Sequence, residues 1–248
     1  MDHTLFNRYE FKYLITSEQY HQFREEIKSK LTYDPYGDEL GRYHISSLYF
    51  DSDDYKLYQE TRQNVRRRQK LRLRIYNHGE LESLSFFELK QKYKNVINKR
   101  RTNLPLTKAY DFVDHMRGRR ELDYSQYEAS DQKVLNEIHC FQSVYGLKPT
   151  VIVSYDRQAF LSIDNPTLRV TFDYNLKCRN DDLRIENDLK GTPLVHHDLI
   201  ILEVKVSGAT PFWLTKSLSE FKCKRQGVSK YCTSVDVIRG ISNHHKIL

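Results

Sequence analysis

The chain has 248 residues and carries 40 Lys and Arg against 33 Asp and Glu, a formal net charge of +7. That length suits one large domain, and the charge favours acidic partners. No run is apolar enough to span a membrane, the longest, Leu199 to Val206, being interrupted by charge, and Met1-Asp2-His3-Thr4 lacks the basic-then-apolar layout of a secretion signal. Cys140, Cys178, Cys223 and Cys232 show no paired metal spacing, so structural thiols in a reduced, cytoplasmic setting are expected.

In chain order, extended runs are expected at 6–14, 44–50, 70–77, 84–91, 96–104, 150–157, 159–164, 168–174 and 199–206. Short turns such as Asn77-His78-Gly79-Glu80 and Asp164-Asn165-Pro166 favour antiparallel pairing. Thr16-Ser17-Glu18-Gln19 reads as a capping box that opens a helix with Tyr20, Phe23, Ile27 and Leu31 on one face. A second helix runs from Thr107 to Arg117 and stops at Gly118. A third, Ser130 to Tyr145, carries Val134, Leu135, Ile138 and Phe141 and stops at Gly146. Thr210-Pro211 starts a fourth, with Pro at its first position and Trp213, Leu214, Leu218 and Phe221 to bury. A last helix follows Ser229. Asn180 to His197 is polar and reads as a loop. Residues 1–248 read as a single domain, with no repeat or long linker.

Five of the extended segments carry charges two residues apart: Arg8-Tyr9-Glu10-Phe11-Lys12, Leu71-Arg72-Leu73-Arg74-Ile75, Phe86-Phe87-Glu88-Leu89-Lys90, Leu168-Arg169-Val170-Thr171-Phe172-Asp173 and Ile201-Leu202-Glu203-Val204-Lys205. A strand sends successive side chains to opposite faces, so each has one charged and one apolar face. The apolar face meets the helices. The charged face, mostly positive with a few carboxylates, is suited to a polyanion, with a metal. From Arg62 to Arg101 there are 13 Lys or Arg and 3 Glu, more positive than the whole chain. In an open sheet the charged face meets water; in a closed barrel it lines a wet channel, because unpaired charge cannot form a packed core. Parity does not choose between these.

The same residues carry a resemblance. Arg8-Tyr9-Glu10-Phe11-Lys12-Tyr13, Ser47-Leu48-Tyr49-Phe50-Asp51, Lys70-Leu71-Arg72-Leu73-Arg74-Ile75-Tyr76, Phe87-Glu88-Leu89-Lys90, Ser154-Tyr155-Asp156-Arg157, Arg169-Val170-Thr171-Phe172-Asp173, Leu202-Glu203-Val204-Lys205 and Ser229-Lys230-Tyr231 run in order over nearly the whole chain. Together they resemble the polyphosphate polymerase domain of the vacuolar transporter chaperone (VTC) complex, within the CYTH-like triphosphate tunnel metalloenzymes. The resemblance implies an α+β fold: a closed antiparallel eight-stranded β-barrel, the tunnel, with helices packed outside. It implies transfer of the γ-phosphoryl group of ATP to a growing polyphosphate chain, with Mn²⁺ or Mg²⁺. Carried over by position, Lys12, Arg72, Arg74, Lys90, Arg157, Arg169 and Lys230 act on phosphate oxygens. Lys99 (with Arg100 and Arg101 competing for its role), Tyr155 and Ser229 contact substrate, and Glu203 with Glu10 holds the metal. Arg8 stands where the superfamily's Glu-x-Glu-x-Lys signature has its first Glu, which moves the reading from hydrolysis to polymerisation. The alternatives are a tripolyphosphate or nucleoside triphosphate hydrolase of the same fold, or a non-catalytic polyanion-binding module. ATP and polyphosphate are the expected partners and nucleic acid is set aside. A membrane-protein partner and the oligomeric state are left open. Stand-alone forms of this kind look bacterial.

Without the resemblance, plainer readings would hold. Arg72 and Arg74 would form cross-strand pairs with Glu88, Glu10 and Lys12 would pair with each other, and Lys230 would be a solvated helix end. His196-His197 and His244-His245 read as surface pairs whose rings point apart, and Tyr43, Tyr49, Tyr55 and Tyr58 as packing residues.

Overall fold

The computed structural model describes residues 8–94, 96–116, 123–187 and 190–241. It has one mixed α+β architecture built on a large antiparallel sheet. The strands are β1 (Arg8–Thr16), β2 (Leu31–Tyr33), β3 (Arg42–Asp51), β4 (Arg67–Tyr76), β5 (Leu84–Tyr93), β6 (Val96–Pro105), β7 (Lys148–Ser162), β8 (Arg169–Arg179), β9 (Thr192–Pro193), β10 (Leu199–Ser207) and β11 (Lys224–Arg225). The helices are α1 (Ser17–Ile27), α2 (Lys56–Arg62), α3 (Leu106–Met116), α4 (Gln132–Tyr145), α5 (Phe212–Glu220) and α6 (Lys230–Ile238).

The sheet corrects the expected closed eight-stranded barrel. Its order is β11-β1-β10-β8-β7-β3-β4-β5-β6, with β2 and β9 attached to β7 and β8, eleven strands in all, and it is not closed. Eight long strands do follow one another, from β1 to β6. The ring fails to close because the free edge of β1 is already taken: β11 pairs with Tyr13 and Leu14, and the Gln226 amide donates to the Lys12 carbonyl at 2.8 Å. A side-chain contact nevertheless reaches across the gap. Lys90 Nζ on β5 lies 3.5 Å from Glu10 Oε2 on β1, so the sheet curls until its inner charges meet.

The alternation sorts the two faces as expected. Leu71, Leu73, Ile75, Phe87 and Leu89 are buried against α3 and α4, while Val170, Phe172, Leu202, Val204 and Val206 are buried under α1 and α5. Full burial of each such side chain contributes about 2 kcal/mol. α1 opens with the expected capping box: Thr16 Oγ1 accepts from the Gln19 amide at 3.1 Å, and Gln19 Oε1 accepts from the Thr16 amide at 2.8 Å. Gly146 ends α4 with φ +62°. Gly118 and His244-His245 lie outside the described residues.

Three other expectations change. The runs 150–157 and 159–164 are one strand, β7. Strand β4 begins at Arg67, three residues before the expected run at 70–77, so Arg67 and Arg68 belong to it. And α6 is not outside: Tyr231, Cys232 and Val235 pack with Tyr49, Val151, Val153, Tyr155 and Ile201, which are inner-face residues. A bulge makes room for it. Asn175, at φ +53°, interrupts the β7–β8 register, so inner-face parity passes from Asp173 to Leu176 and Cys178, both of which join this cluster. The buried carboxylate of Asp51 ties α6 to α2, accepting from the Leu57 and Tyr58 amides and from the Tyr231 hydroxyl.

A charged inner face as candidate active site

Strand register places the charges in rows. Arg72 on β4 lies opposite Glu88 on β5, which lies opposite Arg101 on β6. In the next row Lys70, Lys90 and Lys99 stand side by side. Three like charges directly opposite one another destabilise a bare sheet. The row therefore calls for an anion. Across the fold, Lys12 lies opposite Glu203, Glu203 opposite Thr171, and Arg157 opposite Asp173.

Five carboxylates organise the inner cations. Glu88, 1% exposed, accepts from Arg72 Nε at 2.6 Å and is in contact with Lys99; Arg101 Nε is at 3.8 Å and Arg74 Nη1 at 4.0 Å. Asp173, fully buried, takes both Nε and Nη2 of Arg157, at 2.6 and 2.8 Å, and Lys230 Nζ at 2.6 Å. Glu203 is paired with Lys205 and, at 3.3 Å, with Lys12. Glu10 is paired with Lys12 at 3.3 Å and with Lys90. Asp34, from the segment after β2, holds Arg169 Nη2 at 2.6 Å, beside the Tyr43 hydroxyl at 2.7 Å. Tyr155 accepts from Arg74 Nη2 at 3.1 Å, and its ring lies 4.6 Å from Lys230 Nζ.

Lys70 differs from the rest. Its ammonium donates to Ser229 Oγ at 2.8 Å and has no carboxylate partner among the described residues. Ser229 caps α6, so that helix directs its N-terminus at the inner face, a favourable end for anions.

The titration behaviour follows. Burial foremost, then the nearby cations Lys12 and Lys90, lower the Lys70 pKa. Burial likewise lowers Lys205, with Arg157 adding to it. Burial alone would raise the carboxyls, but Lys12 and Lys205 hold Glu203 well below the usual range, and Arg72 and Arg74 do the same for Glu88. Tyr49 is brought down to about 8: burial opposes this, and Arg72 and Arg74 outweigh it.

Asp173 gives a stability test. Burial would raise its pKa, yet Arg157 and Lys230 bring it from 3.8 to about 2. A depressed carboxyl contributes stability above its unfolded pKa and loses it as pH falls through the folded one. The contribution, about 2 kcal/mol, should therefore disappear between pH 3.8 and about 2. Urea unfolding across that window should show a shallower pH slope for Asp173→Asn than for the parent. Equal slopes would remove the pairing from the account of acid stability.

The residues singled out from sequence converge here. Lys12, Arg72, Arg74, Lys90, Lys99, Tyr155, Arg157, Arg169, Glu203, Ser229, Lys230 and Glu10 are all on or against the inner face. Lys99 and Arg101 both point inward to Glu88, whereas Arg100 faces outward to Glu137 on α4 at 2.5 Å. Lys70, Lys205, Asp173 and Tyr49 were not singled out, although their parity matches their neighbours'. The plainer readings of Arg72–Glu88 and Glu10–Lys12 as ion pairs also hold. The His196 and His197 rings do not point apart: their centroids are 4.1 Å apart, and both residues group with Asp198 on an exposed loop.

For a divalent cation, the fitting donors are Glu10 and Glu203, which share Lys12. Thr171 Oγ1, opposite Glu203, is buried with no hydrogen-bond partner among the described residues. This all-oxygen set suits Mg²⁺ or Mn²⁺.

No curated protein gives a significant match. Among solved structures, a protein from Hippeastrum, described as a candidate adenylyl cyclase with a dominant triphosphatase activity, is 12% identical. It covers 93% of this chain and 95% of its own, with a TM-score of 0.51, a likeness of fold. A Vibrio parahaemolyticus protein described as a candidate adenylate cyclase is 12% identical, covering 91% of this chain and 96% of its own (TM-score 0.45). A protein from Pyrococcus horikoshii OT3 is 11% identical, covering 94% of this chain and 98% of its own (TM-score 0.46). The model of the VTC domain matches residues 7–239, and the chain belongs to the VTC domain family.

Proposed function

We propose that this chain, acting as one domain, is an ATP-dependent polyphosphate polymerase working on its charged inner face. A terminal oxygen of the acceptor polyphosphate attacks the γ-phosphorus of ATP. The bond to the β–γ bridging oxygen breaks and ADP leaves with the electron pair. Lys12, Arg72, Arg74, Lys90, Arg157, Arg169 and Lys230 hold and neutralise phosphate oxygens. Lys70 and Lys205 join them, and Lys99, Tyr155 and Ser229 contact the substrate. Phosphoryl transfer needs mainly such positioning and charge neutralisation. Glu203 and Glu10 are the residues to hold Mn²⁺ or Mg²⁺, which when bound would withdraw charge from phosphate oxygens.

One observation favours polymerisation over hydrolysis. Of the five carboxylates that organise the inner cations, Glu10, Glu88, Asp173 and Glu203 each have at least two basic partners, and each of those four pKa values is lowered. None of these four is a good base for activating water. The end of a polyphosphate chain is already anionic and needs no base. A cytoplasmic setting, where ATP is available, fits this reading.

Purified protein with ATP, Mn²⁺ and a short pyrophosphate primer should form long chains on a gel. Phosphate release without chain growth would make it a hydrolase instead. No turnover, with retained binding of tripolyphosphate, would make it a polyanion-binding module.

A further inference from the structure

The strands that line the site run outward into a tip with a different character. Exposure rises along the inner face from Arg74, 5%, through Arg72, 25%, to Lys90, 42%, and Lys99, 46%. The face thus opens toward the ends of β4, β5 and β6. Two loops meet there, since the Lys94 amide donates to the Arg66 carbonyl at 2.9 Å. At this tip Tyr93, the last residue of β5, is 56% exposed, Val96 and Ile97 at the start of β6 are 65% and 42% exposed, and Val65 is 39% exposed. Around these stand Arg66, Arg67, Arg68, Lys92 and Lys94. From Gln63 to Lys70 and from Gln91 to Arg101 there is no Asp or Glu.

We propose that this tip docks the protein on an anionic lipid surface, with Tyr93, Val96 and Ile97 entering the headgroup boundary and the surrounding Arg and Lys meeting lipid phosphates and carboxylates. Apolar side chains ringed by cations are what such a boundary accepts: the apolar part leaves water and the cations stay at the charged layer. Tyrosine suits the same depth, being apolar in body and polar at its tip. The rival polyanion, single-stranded nucleic acid, would ask for aromatic platforms. Here three of the four exposed apolar residues are aliphatic and offer no ring to stack on. Docked this way, the open end of the charged face would be turned toward the membrane. The proposal does not depend on the polymerase reading.

The full chain should co-sediment with vesicles of phosphatidylcholine and phosphatidylserine at low salt, and much less with phosphatidylcholine alone. Tyr93→Ser/Val96→Ser/Ile97→Ser should weaken that binding by on the order of tenfold, and Arg66→Gln/Arg67→Gln by a similar factor. These side chains are exposed, so both variants should unfold at the parent temperature and treat ATP as the parent does without vesicles. Binding unaltered in the triple variant would overturn the proposal, leaving only charge adsorption. So would equal binding to both kinds of vesicle, or RNA binding at a salt concentration where no vesicle is bound.

Discussion

Arg72→Ala is expected to lower ATP-dependent chain synthesis by about a thousandfold, the scale on which a single arginine acts in phosphoryl transfer. Its guanidinium is fixed on two sides: Nε donates to Glu88 at 2.6 Å and Nη1 to the Tyr49 hydroxyl at 3.1 Å. The fork is therefore held in place before substrate arrives, and little entropy is lost on binding. Lysine offers a point charge but no fork, so Arg72→Lys should recover only part of the rate. The fold should survive the alanine, because Glu88 keeps Lys99, Arg101 and Arg74 around it. A second readout is independent of turnover. Arg72 is foremost among the cations that bring Tyr49 to about 8, so the alanine variant should titrate that phenol at higher pH by ultraviolet absorbance. Synthesis within tenfold of the parent would take Arg72 out of the reacting centre.

The charged face itself was legible in the sequence because a strand's period is two: Arg72 and Arg74, or Glu203 and Lys205, must share a side. The same rule covers Lys70, which needs only to be counted back from Arg72. Which residues meet across the fold was not legible. That Lys230 pairs with Asp173 depends on α6 entering the inner face, and the apolar pattern of α6 does not say which surface it will cover. The bulge at Asn175 was hidden for a related reason, since one residue in the left-handed region reverses parity without altering composition. Helix α2 escaped notice because its cap is remote: the side chain that takes its first amides, Asp51, ends the preceding strand, six residues before Leu57. The closed barrel was what the resemblance implied, and periodicity could not correct it: β11 is two residues long, yet it occupies the edge of β1.

Glu203→Gln should separate an enzyme from a binding module. The carboxylate is 5% exposed and lies between Lys12 and Lys205, with Arg157 and Lys230 acting on it through space. The amide keeps its shape and removes one negative charge. If Glu203 holds the metal, Mn²⁺ affinity measured by calorimetry should drop by at least about tenfold, and synthesis by about a hundredfold or more. Metal-free affinity for tripolyphosphate should move the other way, because the inner face becomes more positive and Lys12 and Lys205 are released to the ligand. Opposite shifts of metal and anion affinity cannot arise from simple unfolding, which would lower both. Glu203→Asp, which keeps the charge but shortens the reach, should retain the parent's anion affinity while still binding metal more weakly. If Mn²⁺ binds the parent and the amide variant equally, the metal lies elsewhere. If polyphosphate binding is also unaltered and the parent shows no turnover, the inner face is a receptor for polyanions and not a catalyst.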